Sequence, residues 1–200
     1  MKKGDDTTEK WVEFYRPFFA TDEDTFQFVK LNEDLDHSSP MHPAKIMMHQ
    51  TQRLVSLADD LPTIRPSRDS LQLLFLVICA ENIAKLHDNF AGEGKSRFYV
   101  QRFFTCIVPV TDRDALASGF VHRRPRQSFS IAEVADLLYD IRCDVVHEGM
   151  YWGFFFRHGD TTMMNVDPNV NASISLARLR DIVVRGCISA IRSYGGRKAS

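Results

Sequence analysis

The stretch that most constrains the fold is residues 67–90, a predicted helix that is apolar on almost every side. Seven of the eight residues at positions 71–78 are apolar, and the helix becomes amphipathic only at Glu81. A helix that is apolar all round usually lies at the centre of a bundle. Because the apolar run is too short to span a bilayer, we expect a soluble all-α protein folded around this helix, with no membrane partner.

Four further helices are predicted from apolar periodicity. They lie at residues 43–60, 96–108, 130–149 and 175–194. The helix that follows residue 130 has the clearest boundaries, since Ser130 and Glu133 form a capping box and Gly149 is a helix stop. Alternating aromatic residues at 152–156, followed by the segment 161–166, predict a short β-hairpin between the last two helices.

Composition and spacing predict two parts in the chain. Residues 1–40 form an aromatic and acidic segment that packs on the body, with a polar and mobile start, and residues 41–200 form the helical domain. We expect residues 109–129 to be a connector.

The formal net charge of −1 predicts no bulk attraction to nucleic acid. Four widely separated cysteines and the lack of an apolar leader favour a reducing, cytoplasmic location.

A basic cluster in the connector is a candidate RNA-binding element. Arg123, Arg124 and Arg126 follow one another closely and could contact an RNA backbone, although a solvated basic loop fits the same pattern. Tyr139 could stack on a base, or it could simply pack between helices.

His42 and His49 lie seven positions apart, but no further ligand completes a metal set, so we expect neither metal nor cofactor.

Arg142 and His147 form the candidate catalytic pair. An arginine can hold a phosphate, and a histidine can move a proton near neutral pH. Five positions along an α-helix correspond to a rotation of roughly 140°, so an ideal helix would not point the two side chains the same way. They converge only if the helix end distorts or a second subunit completes the site. Alternatively, Arg142 is a structural residue paired with Glu81 or Asp181.

Residues 138–149 resemble the signature of the HEPN superfamily (higher eukaryotes and prokaryotes nucleotide-binding domains). Its all-helical members carry an Arg-x4–6-His motif near the end of a late helix, which Arg142 and His147 match here. The resemblance extends over the helical order of residues 43–194. It implies a four- to five-helix HEPN-like bundle, often a homodimer whose two motifs face each other across the interface.

Many members of that superfamily are metal-independent endoribonucleases of defence or toxin–antitoxin systems, and others only bind RNA, nucleotides or a protein partner such as an antitoxin. The resemblance implies that His147 acts as general base or acid and that Arg142 stabilises the phosphoryl oxygens, which gives 2′,3′-cyclic phosphate ends. Asp144 and Glu81 would support the pair. Cys143 departs from the polar residue that commonly follows the arginine in active members.

Overall fold

A computed structural model describes residues 5–35, 42–124, 126–159, 165, 167 and 169–196. Most of these residues are helical, so the fold is all-α with one small sheet. The helices are α1 (Asp5–Tyr15), α2 (Asp22–Glu33), α3 (Pro43–Ile64), α4 (Asp69–His87), α5 (Ser96–Arg102), α6 (Val110–Ser118), α7 (Ile131–Cys143) and α8 (Leu176–Gly196). The strands are β1 (Phe120–His122), β2 (Gln127–Ser128) and β3 (Val170–Ala172).

The centre of the bundle is α4, as its apolar sequence predicts. It packs against α3, α5, α7 and α8, and side chains such as Leu73, Val77 and Ile83 are completely buried. By length and composition alone α4 could cross a membrane. The core helix of a bundle satisfies the same criteria, and α4 is contacted by helices on several sides.

Three helix predictions need correction. α3 continues to Ile64 through Pro62, because a proline near the helix end removes only one donor and the last turn still closes from Arg65 N–H to Leu61 O at 2.8 Å. α5 gives way to a π turn at Phe103–Ile107, within the predicted helix. The connector contains α6, which lacks an apolar stripe since it buries only Asp112 and Leu116.

The sheet differs from the predicted hairpin. β3 does lie between the last two long helices, but β1 pairs antiparallel with both β2 and β3, and the strand order is β2–β1–β3. Residues 152–156 form no strand, because the N–H groups of Phe155 and Phe156 donate to the side chains of Asn165 and Asp69 rather than to a neighbouring strand. Most of the segment predicted as the second hairpin strand, residues 161–164 and 166, lies outside the described residues.

The N-terminal segment is helical from residue 5. Residues 5–10, predicted to be a mobile end, belong to α1, whereas residues 1–4 lie outside the described part of the chain. The Tyr15 side chain is fully buried, and its hydroxyl donates a hydrogen bond to Met48 O on α3 at 2.8 Å. Phe28 of α2 packs edge-on against the same ring. These contacts join α1 and α2 to the α3 side of the bundle.

Candidate functional site

The motif helix α7 begins as its sequence predicts. Ser130 Oγ accepts a hydrogen bond from Glu133 N–H at 3.3 Å, while the Glu133 carboxylate accepts one from Ser130 N–H at 2.7 Å. This reciprocal pair is a capping box, and it satisfies two donors at the helix start. The residues at positions 130–133 therefore determine where α7 begins.

The end of α7 is a π turn, Asp144–Glu148, rather than regular α-helix. The turn is closed by Gly149 N–H donating to Asp144 O, and Gly149 has a φ of 67°, a left-handed conformation that glycine adopts without strain. A π turn rotates the chain less per residue than an α turn. Arg142 and His147 are then separated by roughly 70–100° instead of roughly 140°. The π turn therefore narrows the angle between the two side chains but does not by itself align them.

The Arg142 guanidinium is only loosely paired. Its nearest carboxylate oxygen, Glu81 Oε2, is 4.0 Å from Nη2, and Cys143 Sγ is 4.0 Å from Nη1. Its Nε is buried and has no hydrogen-bond partner among the described residues. The side chain nevertheless keeps 19% of its surface exposed. Asp181, the other suggested partner, instead bonds Arg180 at 3.2 Å. The guanidinium therefore retains donors for a ligand.

Glu81 is a buried carboxylate whose charge is balanced mainly by groups other than Arg142. Its Oε1 accepts hydrogen bonds from Lys85 Nζ and Ser96 Oγ, both at 2.7 Å. A buried carboxylate needs such partners. Sequence reasoning missed both donors, although Lys85 stands four residues after Glu81 in the helical pairing register. Ser96 begins the next helix, and no sequence signal links it to Glu81.

Two arginine guanidinium groups lie over the ring of Tyr139, the residue suggested either to stack on a base or to pack between helices. The Arg97 guanidinium lies 4.7 Å from its ring centroid, and that of Arg142 lies at 5.7 Å. Burial, together with a hydrogen bond to Cys143, raises the pKa of the Tyr139 hydroxyl. Arg97 is held in turn by Asp136 at 2.9 Å and by a short bond to Asp140. A base would have to displace these guanidinium groups to stack on the ring.

The exposed side of the π turn is acidic around His147. The His147 side chain is exposed. Burial, followed by the like charges of Asp140 and Glu148, raises the pKa of the Asp144 carboxyl. Asp144 thus stands beside the motif as a carboxyl that binds its proton more tightly than an isolated aspartate does.

The basic cluster lies at the opposite end of α7 from the motif. The turn between β1 and β2 carries Arg123, Arg124 and Arg126, all exposed, and β2 leads within two residues to the start of α7. Arg123 is fixed by Asn171 Oδ1 at 3.0 Å from its Nε. Since α7 has 13 residues, its length is about 20 Å. One chain therefore does not bring the three arginines together with Arg142 and His147.

Comparisons add no relative from which a role could be transferred. No family model, no curated protein and no solved structure matches the chain.

Within the described ranges, no group of three histidine, cysteine, aspartate or glutamate residues could hold a metal ion. His49 instead forms a short bond to Glu33 and stacks on Trp11 at 4.3 Å.

Proposed function

We propose that the chain is a HEPN-like, RNA-directed protein and a metal-independent endoribonuclease acting through Arg142 and His147. The observation that carries the proposal is the loosely paired Arg142 guanidinium. Its Nε has no partner among the described residues, and its nearest carboxylate oxygen is 4.0 Å away. A structural ion pair would be closer and better satisfied than this. An oxyanion would supply acceptors for the terminal N–H groups, since the buried Nε is closed to a ligand.

The reaction requires one base, one acid and a cation. His147 accepts the proton of the RNA 2′-hydroxyl as that oxygen attacks the adjacent phosphorus. Arg142 binds the non-bridging oxygens, on which negative charge accumulates. The bond from phosphorus to the 5′ oxygen breaks, and a protonated imidazole donates its proton to that leaving oxygen. The products are a 2′,3′-cyclic phosphate and a 5′-hydroxyl, so atoms and protons balance.

A homodimer would supply the second imidazole. Within five residues of His147 in the sequence the chain exposes three large apolar side chains, with exposed fractions of 49% for Val146, 36% for Tyr151 and 50% for Trp152. Adjacent exposed apolar residues are typical of protein contact surfaces. We propose that a second copy of the chain covers this surface, so that two motifs line one groove. Arg124 and Arg126 would then contact RNA outside the groove, at the other end of α7.

The test is cleavage of a single-stranded RNA in the presence of EDTA, with product ends identified by mass. We expect wild-type protein to give cyclic phosphate ends and His147→Ala to lose at least about 100-fold in rate. Glu148→Gln is the matched control on the same turn and should change the rate by less than about threefold, because it leaves both motif side chains in place. Equal rates for wild type and His147→Ala would refute the site.

The second candidate function is a non-catalytic module that binds RNA, a nucleotide or a protein partner. It is favoured by Cys143 in place of a polar residue and by the acidic neighbours Asp140, Asp144 and Glu148, which repel a polyanion. A binding titration separates the two functions. If RNA binds wild type and His147→Ala equally and neither protein cleaves it, the chain is a non-catalytic binding module.

A further inference from the structure

A second polar site lies in a cavity of about 390 Å³ between α3, α4 and α8. The segment Arg157–Gly159 closes one side, and the first turn of α8 forms another. None of the described lining residues belongs to the Arg142–His147 surface. Cavities of this size, with apolar walls and a few converging polar groups, are the usual form of small-molecule sites.

The most distinctive group in the cavity is the pair formed by Asp69 and His158. The Asp69 side chain is 2% exposed, and its Oδ2 accepts hydrogen bonds from Phe156 N–H at 2.9 Å and from His158 Nε2 at 3.1 Å. The imidazole is 61% exposed. A hydrogen bond at one ring nitrogen fixes the orientation of a histidine and its tautomer. His158 is thus anchored at Nε2, which leaves Nδ1 available to a ligand; Nδ1 accepts a hydrogen bond in the neutral ring and donates one when the ring is protonated.

Other groups that line the cavity are mainly donors. Arg180 has five N–H donors; Asp59 and Asp181 accept from its Nε, Nη1 and Nη2, which leaves one N–H on each terminal nitrogen. Ser175 Oγ caps α8 by accepting from Arg178 N–H at 3.2 Å, so its own proton is free to be donated. The carboxylate of Asp59 already accepts hydrogen bonds from Arg180. Apart from the amide of Gln72, which offers both a donor and an acceptor, the cavity therefore offers donors, whereas its carboxylates are occupied.

This imbalance suits an anion rather than a cation. Oxygen atoms of a phosphate group accept several hydrogen bonds at once and carry the charge that arginine and imidazole attract. The apolar part of the wall, formed by Ala58, Leu76 and Leu176, gives room for a small organic substituent. We propose that the cavity binds a small phosphomonoester, with its phosphate between His158 and Arg180 and its substituent on the apolar wall.

The test is calorimetric titration of the full chain with phenyl phosphate and, separately, inorganic phosphate. We expect saturable binding of both, tighter for phenyl phosphate, and a loss of at least about tenfold in affinity for His158→Ala. Because this side chain is mostly exposed, the variant should fold. Asp69→Asn keeps the shape of the pair and should weaken binding less. Arg53→Ala, an exposed change on α3, is the control and should bind as wild type does.

Unsaturable heats, or equal affinities for wild type and His158→Ala, would overturn the proposal. A loss in Arg53→Ala as large as that in His158→Ala would also overturn it, because it would show non-specific attraction to positive charge. The proposal is independent of ribonuclease activity. RNA cleavage by His158→Ala should equal that of wild type, so failure of one function leaves the other untouched.

Discussion

Asp112 of α6 is paired with two arginines of α8, and this contact allows a stability prediction to be worked out from the structure. The buried Asp112 carboxylate accepts hydrogen bonds from Arg185 Nε at 2.7 Å and Nη2 at 2.9 Å, and from Arg178 Nη2 at 3.5 Å. Leu116 is the only other buried side chain of α6. This short helix is therefore held by the charged contact of Asp112, by Leu116 and by a hydrogen bond from Arg113 to Thr105 O.

We expect Asp112→Ala to lower the free energy of unfolding by about 2–3 kcal/mol. Removing one partner of a fully buried ion pair costs about 3–5 kcal/mol. The Arg185 side chain is 29% exposed, so water rehydrates part of its charge and the loss is smaller. For a chain of 200 residues this corresponds to a fall of about 4–12 °C in melting temperature.

The assay is urea unfolding followed by circular dichroism, carried out as a double-mutant cycle with Arg185→Ala. The coupling energy between the two positions should exceed about 1 kcal/mol. Asp114→Ala, an exposed change on the same helix, should stay within about 0.5 kcal/mol of wild type. Additive effects of Asp112→Ala and Arg185→Ala would refute the argument, since each residue would then be acting through other contacts.

Three further predictions concern pH, the capping box and the motif. Burial raises the pKa of Glu33, but hydrogen bonds from His49 and Lys45 more than offset it and hold that pKa below its usual value; this contribution to stability is present above about pH 4.3 and lost as pH falls below it. Melting curves of Glu33→Gln should therefore approach those of wild type in acid, and a constant difference at all pH values would contradict this. Ser130→Ala should lower the free energy of unfolding by about 1 kcal/mol in urea titrations; no change would mean that the capping box contributes nothing. Arg142→Lys should keep the melting temperature and reduce RNA cleavage at least about tenfold, because an ammonium cannot bridge two phosphate oxygens as a guanidinium does; equal cleavage would show that charge alone suffices.

Features set by neighbouring residues were predictable from sequence. The apolar run in α4 predicts a central helix, and the Ser130–Glu133 box predicts where α7 begins. Both follow from periodicity or from a spacing of a few residues. The stop at Gly149 is likewise local, since glycine alone adopts its left-handed conformation freely.

Features set by distant residues were not predictable. β3 pairs with β1 across the whole of α7, and no local pattern encodes that partner. Asp69 and His158 are 89 residues apart, so nothing in either neighbourhood identifies the other. For Arg142, sequence suggested Glu81 or Asp181 as partner, and only the packing of α4 and α5 shows how Lys85 and Ser96 occupy Glu81 first.

The π turn at Asp144–Glu148 has a consequence for how the motif tolerates changes in length. A π turn is equivalent to an α-helix into which one extra residue has been inserted. Deleting one of residues 144–146, which lie between Arg142 and His147, would restore a regular α-helix. The histidine would then stand four positions after Arg142, roughly 40° from it around the helix axis, so the two side chains would be closer in direction than they are with the π turn. In this segment the π turn partly compensates for a spacing of five residues, and a spacing of four would not need it.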